Sequence, residues 1–328
     1  MSGDRAGVPR RAGHPPDAAW FAGLWKPLGY RSAALDLPGL SIRFDGMDEA
    51  WCRSFLARYG GYARDATTDR GAFTLTLSAS RDLTGPTDYF IDPPAPGRVE
   101  YNPVFVDVDE EGTDHWRVRA CTYRLAATFS TAGGRGLAVF AKGPDTSIDP
   151  TERAVENVLR VATAWLALAR GGLLMHAASV VRDGRAWLFF GQSGSGKSTL
   201  AASSSRGQVV SDDLTLLLPG ADGRPTVVGA PFRGTYTGGE PTTGIYPVAA
   251  ALRLRKAGPA EAAAVEPLPP SAAMPDAIAN LPFVVDHLAA YPRLFERIER
   301  VLGAMPMRAL RFRKEDDSWW DAIDRAGL

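Results

Sequence analysis

Little in this sequence marks a secreted, metal-cluster or polyanion-binding protein. Only two cysteines, Cys52 and Cys121, occur in 328 residues. They are too few and too far apart for a disulfide framework or a zinc knuckle, so two reduced thiols are expected. Four histidines are present, and His14 and His115 stand apart from any metal partner. Charge of neither sign prevails, with 37 Lys and Arg against 37 Asp and Glu. With no net field to draw nucleic acid or an anionic membrane surface, neither is expected as a partner. No run of about 18 apolar residues occurs, the length a bilayer-spanning helix needs. The most apolar helix-like stretch, Val158 to Leu168, is too short, and the opening MSGDRAGVPRRAGHPPDAAW lacks an apolar signal core. A soluble, cytoplasmic protein with a disordered tail over residues 1–18 is the expectation.

What is present suggests two domains. Over residues 19–148 short alternating runs such as Phe73 to Ser78, Trp116 to Ala120 and Gly136 to Ala141 predict strands, separated by Gly, Pro and Asp turns. One helix is predicted over Asp48 to Tyr59, giving a β-rich first domain with no visible chemical constellation. Asp149, Pro150, Thr151 and Glu152 form a strong helix start for a helix to about Arg170, which opens a second domain over residues 149–328.

In that domain two β-like runs, Leu173 to Val181 and Arg185 to Phe190, bracket an Asp-Gly turn and predict a hairpin. A helix over Lys197 to Ser205, a strand over Gln208 to Val210, and a hairpin of Leu214 to Leu218 with Thr226 to Val228 follow. The stretch from Gly229 to Pro247 is expected to be loop, and Ala257 to Ala273, rich in Ala, Pro and Glu, a surface linker or mobile loop. Leu281 to Leu302 has a helical pattern broken at Pro292. Met307 to Phe312 predicts a strand, and Trp319, Trp320 and Ile323 a final helix.

Directly after the second run stands GQSGSGKST: Gly191, Gln192, Ser193, Gly194, Ser195, Gly196, Lys197, Ser198 and Thr199. It satisfies GxxxxGK[ST], whose chance occurrence in a chain of this length is about one in a hundred at ordinary glycine frequency. Glycines let the backbone curl so that N–H groups face the α- and β-phosphates, the lysine reaches the β- and γ-phosphates, and the Ser198 hydroxyl serves Mg²⁺. These nine residues are the expected nucleotide cradle. Asp212 and Asp213 end the next apolar strand, where open α/β sheets gather functional side chains. Being adjacent on an extended segment, they point to opposite faces. His176 lies in LLMHAASVV, the run expected to pair with the strand feeding the loop. An imidazole there is placed to bond a transferring group or tune a carboxylate.

Taken in order, MHAASV, GQSGSGKST and VVSDD resemble the catalytic core of the HPr kinase/phosphorylase family, shared by HPr-kinase-related proteins that include the kinases of lasso peptide biosynthesis. The resemblance is tight over residues 170–235. It implies an α/β fold, an HPr-kinase/PEP-carboxykinase-like P-loop core with a smaller β-rich α+β N-terminal domain. It also implies ATP and Mg²⁺ as cofactors and a kinase that phosphorylates a serine hydroxyl in a peptide or small protein. By that resemblance Asp212 is the general base, His176 the active-site histidine beside it, and Lys197 and Ser198 fill the P-loop roles. Asp213 supports Mg²⁺ or orients its neighbour, and a homo-oligomer is the implied assembly. Two family motifs are missing: the Glu-Ile-Arg-Gly-Leu-Gly metal-ligand stretch, in whose place stands GAPFRGTYTGGE with Arg233 and Glu240, and the Pro-Gly-Arg-Asn loop, near which lie Arg253, Arg255 and Lys256. A small-molecule alcohol as acceptor, or a non-catalytic nucleotide-binding regulator, remain the alternatives.

Overall fold

The structure, a computed structural model, describes residues 15–22, 27, 29–66, 74–82, 104–122, 125–141, 150–232, 234, 236, 238, 242–258, 260–314 and 316–328. The first fourteen residues of the expected tail, the Asp149 helix cap, and Arg233 and Glu240 fall outside that set. The architecture is mixed α/β, and no helix among the described residues is long and apolar enough to cross a membrane. Internal packing divides the chain into two units: Met1–Ser32, Arg43–Cys52 and Leu75–Val161 in the first, and Ala33–Ile42, Arg53–Thr74 and Ala162–Leu328 in the second.

In the first unit, β5 (Phe105–Glu110), β6 (Trp116–Thr122), β7 (Leu125–Ser130) and β8 (Arg135–Ala141) run as an antiparallel meander, with β4 (Thr74–Asp82) parallel to β8. Alternation explains β6, whose Trp116, Val118 and Ala120 are buried while Arg117 and Arg119 are only partly covered. Helix α1 (Glu49–Tyr59) starts where Asp48 Oδ1 accepts the Trp51 N–H at 2.8 Å, a side-chain cap. Trp51 then meets Phe140 edge-on at 4.9 Å between ring centroids. Both cysteines are buried and free.

Helix α2 (Pro150–Ala169) is covered nearly all round: from Ala154 to Leu168 only Glu156 and Arg160 are not fully buried, and those two pair at 2.5 Å one turn apart. That matches its continuous Ala, Leu and Val content, which leaves no polar face.

The second unit centres on the 12-residue strand β15 (Ile245–Lys256). One edge of β15 runs parallel to β11 (Arg185–Phe190), which pairs antiparallel with β10 (Ala177–Arg182), and β10 in turn with β12 (Gln208–Ser211). Its other edge carries β14 (Pro225–Val228) on the early residues and β17 (Met307–Phe312), parallel, on the later ones. Beyond β14 lie β13 (Thr215–Pro219) and β9 (Leu173–Met175), and beyond β17 lies β16 (Ala264–Pro267). One face of this sheet is closed by α3 (Lys197–Ser203) and α6 (Trp319–Arg325) over a core of Trp187, Phe189, Leu252, Leu310, Phe312, Trp319 and Trp320.

Four sequence expectations change here. The single strand over Leu173 to Val181 is two, interrupted at His176, because β9 pairs with β13 whereas β10 pairs with β11 and β12. The expected loop to Pro247 ends earlier, as Ile245 already opens β15. The expected surface linker or mobile loop over Ala257 to Ala273 contains β16 and the start of helix α4 (Pro270–Ile278). The Leu281 to Leu302 pattern gives turns and a short 3₁₀ helix (Val285–His287) up to Tyr291 and an α-helix, α5, only over Pro292–Gly303, since a proline suits the first turn of a helix but not its interior.

Candidate functional site

The glycine-rich segment leaves the end of β11, at the edge of the sheet where the parallel strands β11, β15 and β17 all end. Gly191, Gly194 and Gly196 adopt φ values of +154°, +75° and +102°, a curled backbone that side-chain-bearing residues rarely adopt. At Gly196 a second constraint applies, since a Cβ there would stand 2.7 Å from Cζ of Phe312. Gln192, Ser193, Gly194 and Thr199 are exposed. The Ser195 hydroxyl is buried, points towards Gly191 and makes no hydrogen bond, a donor left for a ligand.

Lys197 opens α3 and is only 6% exposed. Its ammonium donates to the carbonyls of Gly191 at 2.9 Å and Gln192 at 3.4 Å, folded back over the loop. Burial pushes its pKa below the ordinary lysine value, while the nearby Asp213 carboxylate opposes that shift. Ser198, the next residue, donates its hydroxyl to the Asp212 carbonyl at 3.3 Å. That bond ties the loop to the end of β12 and leaves the hydroxyl oxygen's lone pairs for a cation.

His176 arrives from the opposite side. The β10–β11 register sets Ala177 against Phe190, so His176 stands level with Gly191. Its N–H, released from the ladder by the break in the strand, donates to the Asn280 carbonyl at 2.7 Å. The imidazole Nε2 lies 3.2 Å from Oδ1 of Asp213, with the side chains 43% and 23% exposed. His176, Asp213 and Lys197 thus converge at the mouth of the loop.

Asp212 behaves differently. It is 1% exposed, and its carboxylate accepts the Gly234 N–H at 2.8 Å on Oδ1 and the Tyr236 N–H at 3.0 Å on Oδ2. The Ser211 hydroxyl adds a bond to the Phe232 carbonyl at 3.0 Å. Gly234 approaches so closely that a Cβ would fall 3.0 Å from Oδ2 of Asp212 and 3.1 Å from Cβ of Asp213. The adjacent aspartates therefore do diverge, as two neighbours on an extended segment must. The side that faces His176 belongs to Asp213. Nothing local announced Gly234, Tyr236 or Asn280 as parts of this constellation, because each reaches it from a distant segment.

Among the described residues no group of three or more His, Cys, Asp or Glu is placed to hold a metal by itself. A Mg²⁺ bound with phosphates needs no such cage, since it keeps several waters and takes one or two protein oxygens. The Ser198 hydroxyl and the Asp213 carboxylate fit that donor set.

Arg253 pairs with Asp276 at 2.7 Å and donates to the Ala272 carbonyl, and Arg255 pairs with Glu266 at 3.4 Å. Lys256 is exposed at the end of β15. An apolar hollow of about 520 Å³ between Met274, Ile278, Val285 and Phe295 has no titratable side chain in its lining. No protein-family model and no curated protein sequence matches the chain.

Proposed function

We propose that this protein is an ATP-dependent phosphotransferase with an HPr-kinase/PEP-carboxykinase-like P-loop core, transferring the γ-phosphoryl group to a hydroxyl, foremost a serine in a peptide or small protein. One observation carries the reading: His176, the adjacent Lys197 and Ser198, and Asp213 come from three places in the sequence order of the unit and meet around the curled Gly191–Gly196 segment. A glycine-rich turn with no ligand has no need of a buried ammonium, an orphaned serine hydroxyl and a histidine–aspartate pair at its mouth.

In this reading Lys197 exchanges its two carbonyl partners for β- and γ-phosphate oxygens, and the loop N–H groups meet the remaining phosphate charge. Ser198, held by the Asp212 carbonyl, and Asp213 would hold Mg²⁺, which supplies charge neutralisation on the transferring group. Catalysis then rests on positioning and electrostatics more than on covalent chemistry. The acceptor oxygen approaches the γ-phosphorus in line, with a protein carboxylate to receive its proton.

The direct test incubates the full chain with γ-labelled ATP, Mg²⁺ and the peptides or small proteins encoded beside its gene, followed by mass spectrometry. Phosphoserine on such a peptide, absent with Lys197→Ala, is the expected outcome. Label found on a metabolite instead moves the acceptor to a small alcohol, and binding of ATP without acceptor-dependent ADP release contradicts the kinase reading.

A further inference from the structure

Resting on the nucleotide-binding part of that reading, we propose that Lys256 and Lys314 form a second cationic arm of the triphosphate site, on the flank of the Gly191–Thr199 loop away from His176. Three observations bring them there.

The first is where this chain places its lysines. Only five of the 37 basic residues are lysine. Three of the five lie among the described residues, and all three stand at the same end of the sheet. Lys197 follows β11 through the loop, Lys256 is the last residue of β15, and Lys314 comes just after the end of β17. Those strands run parallel side by side, β11 with β15 and β15 with β17. Ligands of open α/β sheets gather outside the carboxyl ends of such strands.

The second is register. Phe190 pairs with Arg253 across β11 and β15, so the loop leaves its strand level with Leu254, just short of Lys256. Alternation puts Lys256 on the face of Leu252 and Leu254, which both belong to the core beneath α3. On its other side Lys256 is paired with Phe312, whose Cζ stands 2.7 Å from where a Cβ at Gly196 would lie. Lys256 therefore shares the loop's own face of the sheet, next to the ring that supports the loop. Arg253 and Arg255 alternate to the opposite face, where Arg253 meets Asp276 of α4.

The third is neutralisation. Arg253, Arg255 and Arg311, on the same two strands, each have a carboxylate partner, in Asp276, Glu266 and Glu261 respectively. Lys256 and Lys314 are exposed, and neither has an ion-pair partner among the described residues. Asp316, close to Lys314 in the chain, accepts the Ser318 N–H at 3.0 Å and is steadied by the charge of Arg313.

The charges of the whole chain sum to zero, so no overall field draws a triphosphate towards it. Uncompensated ammonium groups around a phosphate loop concentrate a positive potential there, which speeds capture of a polyanion. Lysine suits this task, as a compact charge on a flexible stem that can follow a phosphate group. The two arms differ in kind. Lys197 is buried against the loop, whereas the exposed pair acts through a field that salt screens.

The test follows binding of a fluorescent ATP analogue with Mg²⁺ to the full chain by stopped flow, and displacement of the analogue by inorganic triphosphate. At low salt, Lys256→Ala combined with Lys314→Ala should slow association roughly tenfold, the lower end of electrostatic steering effects, and weaken inorganic triphosphate by a similar factor. At about 1 M salt, where the Debye length is about 3 Å, the difference should shrink to less than about twofold. Lys256→Arg combined with Lys314→Arg keeps both charges and should bind as the wild type does. Arg308→Ala, which removes an exposed charge near the opposite end of β17, should also bind normally. Unchanged binding by the double alanine variant at low salt overturns the proposal. So does a loss that persists at high salt, an equal loss in Arg308→Ala, or a loss for the analogue that inorganic triphosphate does not share. All of these leave the nucleotide reading intact. Failure of the wild-type chain to bind either probe overturns that reading and the proposal together.

Discussion

Removing each aspartate carboxylate in turn should have very unequal effects on stability. In Asp212→Ala the lost group is 1% exposed and accepts two main-chain N–H bonds, at 2.8 and 3.0 Å. Hydrogen bonds to a charged group contribute about 1.5–3 kcal/mol each, so the two together set an expected loss of roughly 3–6 kcal/mol. In Asp213→Ala the pair lost at 3.2 Å is with a His176 side chain that is 43% exposed. Solvent screens such a pair, and its removal is expected to cost about 0–1 kcal/mol. Urea unfolding of the full chain, followed by fluorescence of the buried Trp187, Trp319 and Trp320, gives the global comparison. Amide exchange at Gly234 and Tyr236 gives the local one, and it should speed up in Asp212→Ala only. Equal losses, or intact exchange protection in Asp212→Ala, would refute the reasoning that Asp212 holds the Gly234 and Tyr236 main chain.

Other substitutions test other parts of the account. Gly196→Ala puts a side chain at φ +102° and within 2.7 Å of Phe312; a left-handed residue costs about 1–2 kcal/mol, and the melting temperature should fall by several degrees, with Phe312→Leu restoring only the part due to contact. Trp319 is fully buried, 4.4 Å from Trp320 and 5.2 Å from Phe189 between ring centroids, so Trp319→Ala should lose about 3–5 kcal/mol in urea unfolding. Arg253→Ala should weaken stability by about 1 kcal/mol through its Asp276 pair yet leave ATP affinity unchanged; a large drop in affinity would place it in the site instead. Burial, with Asp107 adding to it, pushes the Cys121 thiol from 9.0 up to about 12. The unfolded chain therefore releases this proton first, and stability should fall as pH rises from about 9 towards 12 more steeply than in Cys121→Ser, as read by unfolding at matched pH.

The curled loop between β11 and α3 was legible in the sequence because its determinants are local. An apolar strand, glycines at fixed spacing, a lysine and a serine define it within nine residues, and the curled φ values at Gly191, Gly194 and Gly196 follow from that spacing. Which of Asp212 and Asp213 faces His176 was not legible. Alternation requires that they diverge, but which one faces His176 depends on Gly234 and Tyr236, more than twenty residues further along. His176 itself sits in an unbroken apolar run, and only the different pairing partners of β9 and β10 reveal the break that frees its N–H for Asn280. Strand β15 escaped notice because its middle is AAAL, a composition with weak β preference, behind a proline. Neighbours on both edges decide its conformation, not its own residues. The pair β16 and α4 was hidden in the same way by a stretch dominated by alanine and proline.

The central claim is that the Gly191–Thr199 segment holds a nucleoside triphosphate through Lys197. Calorimetric titration of the full chain with Mg·ATP, beside the Lys197→Ala chain, tests it most directly. One ATP bound per wild-type chain, with affinity at least about tenfold weaker, or roughly 1.4 kcal/mol, in Lys197→Ala is the predicted result. No heat of binding in the wild type, or equal affinity in both chains, would contradict it.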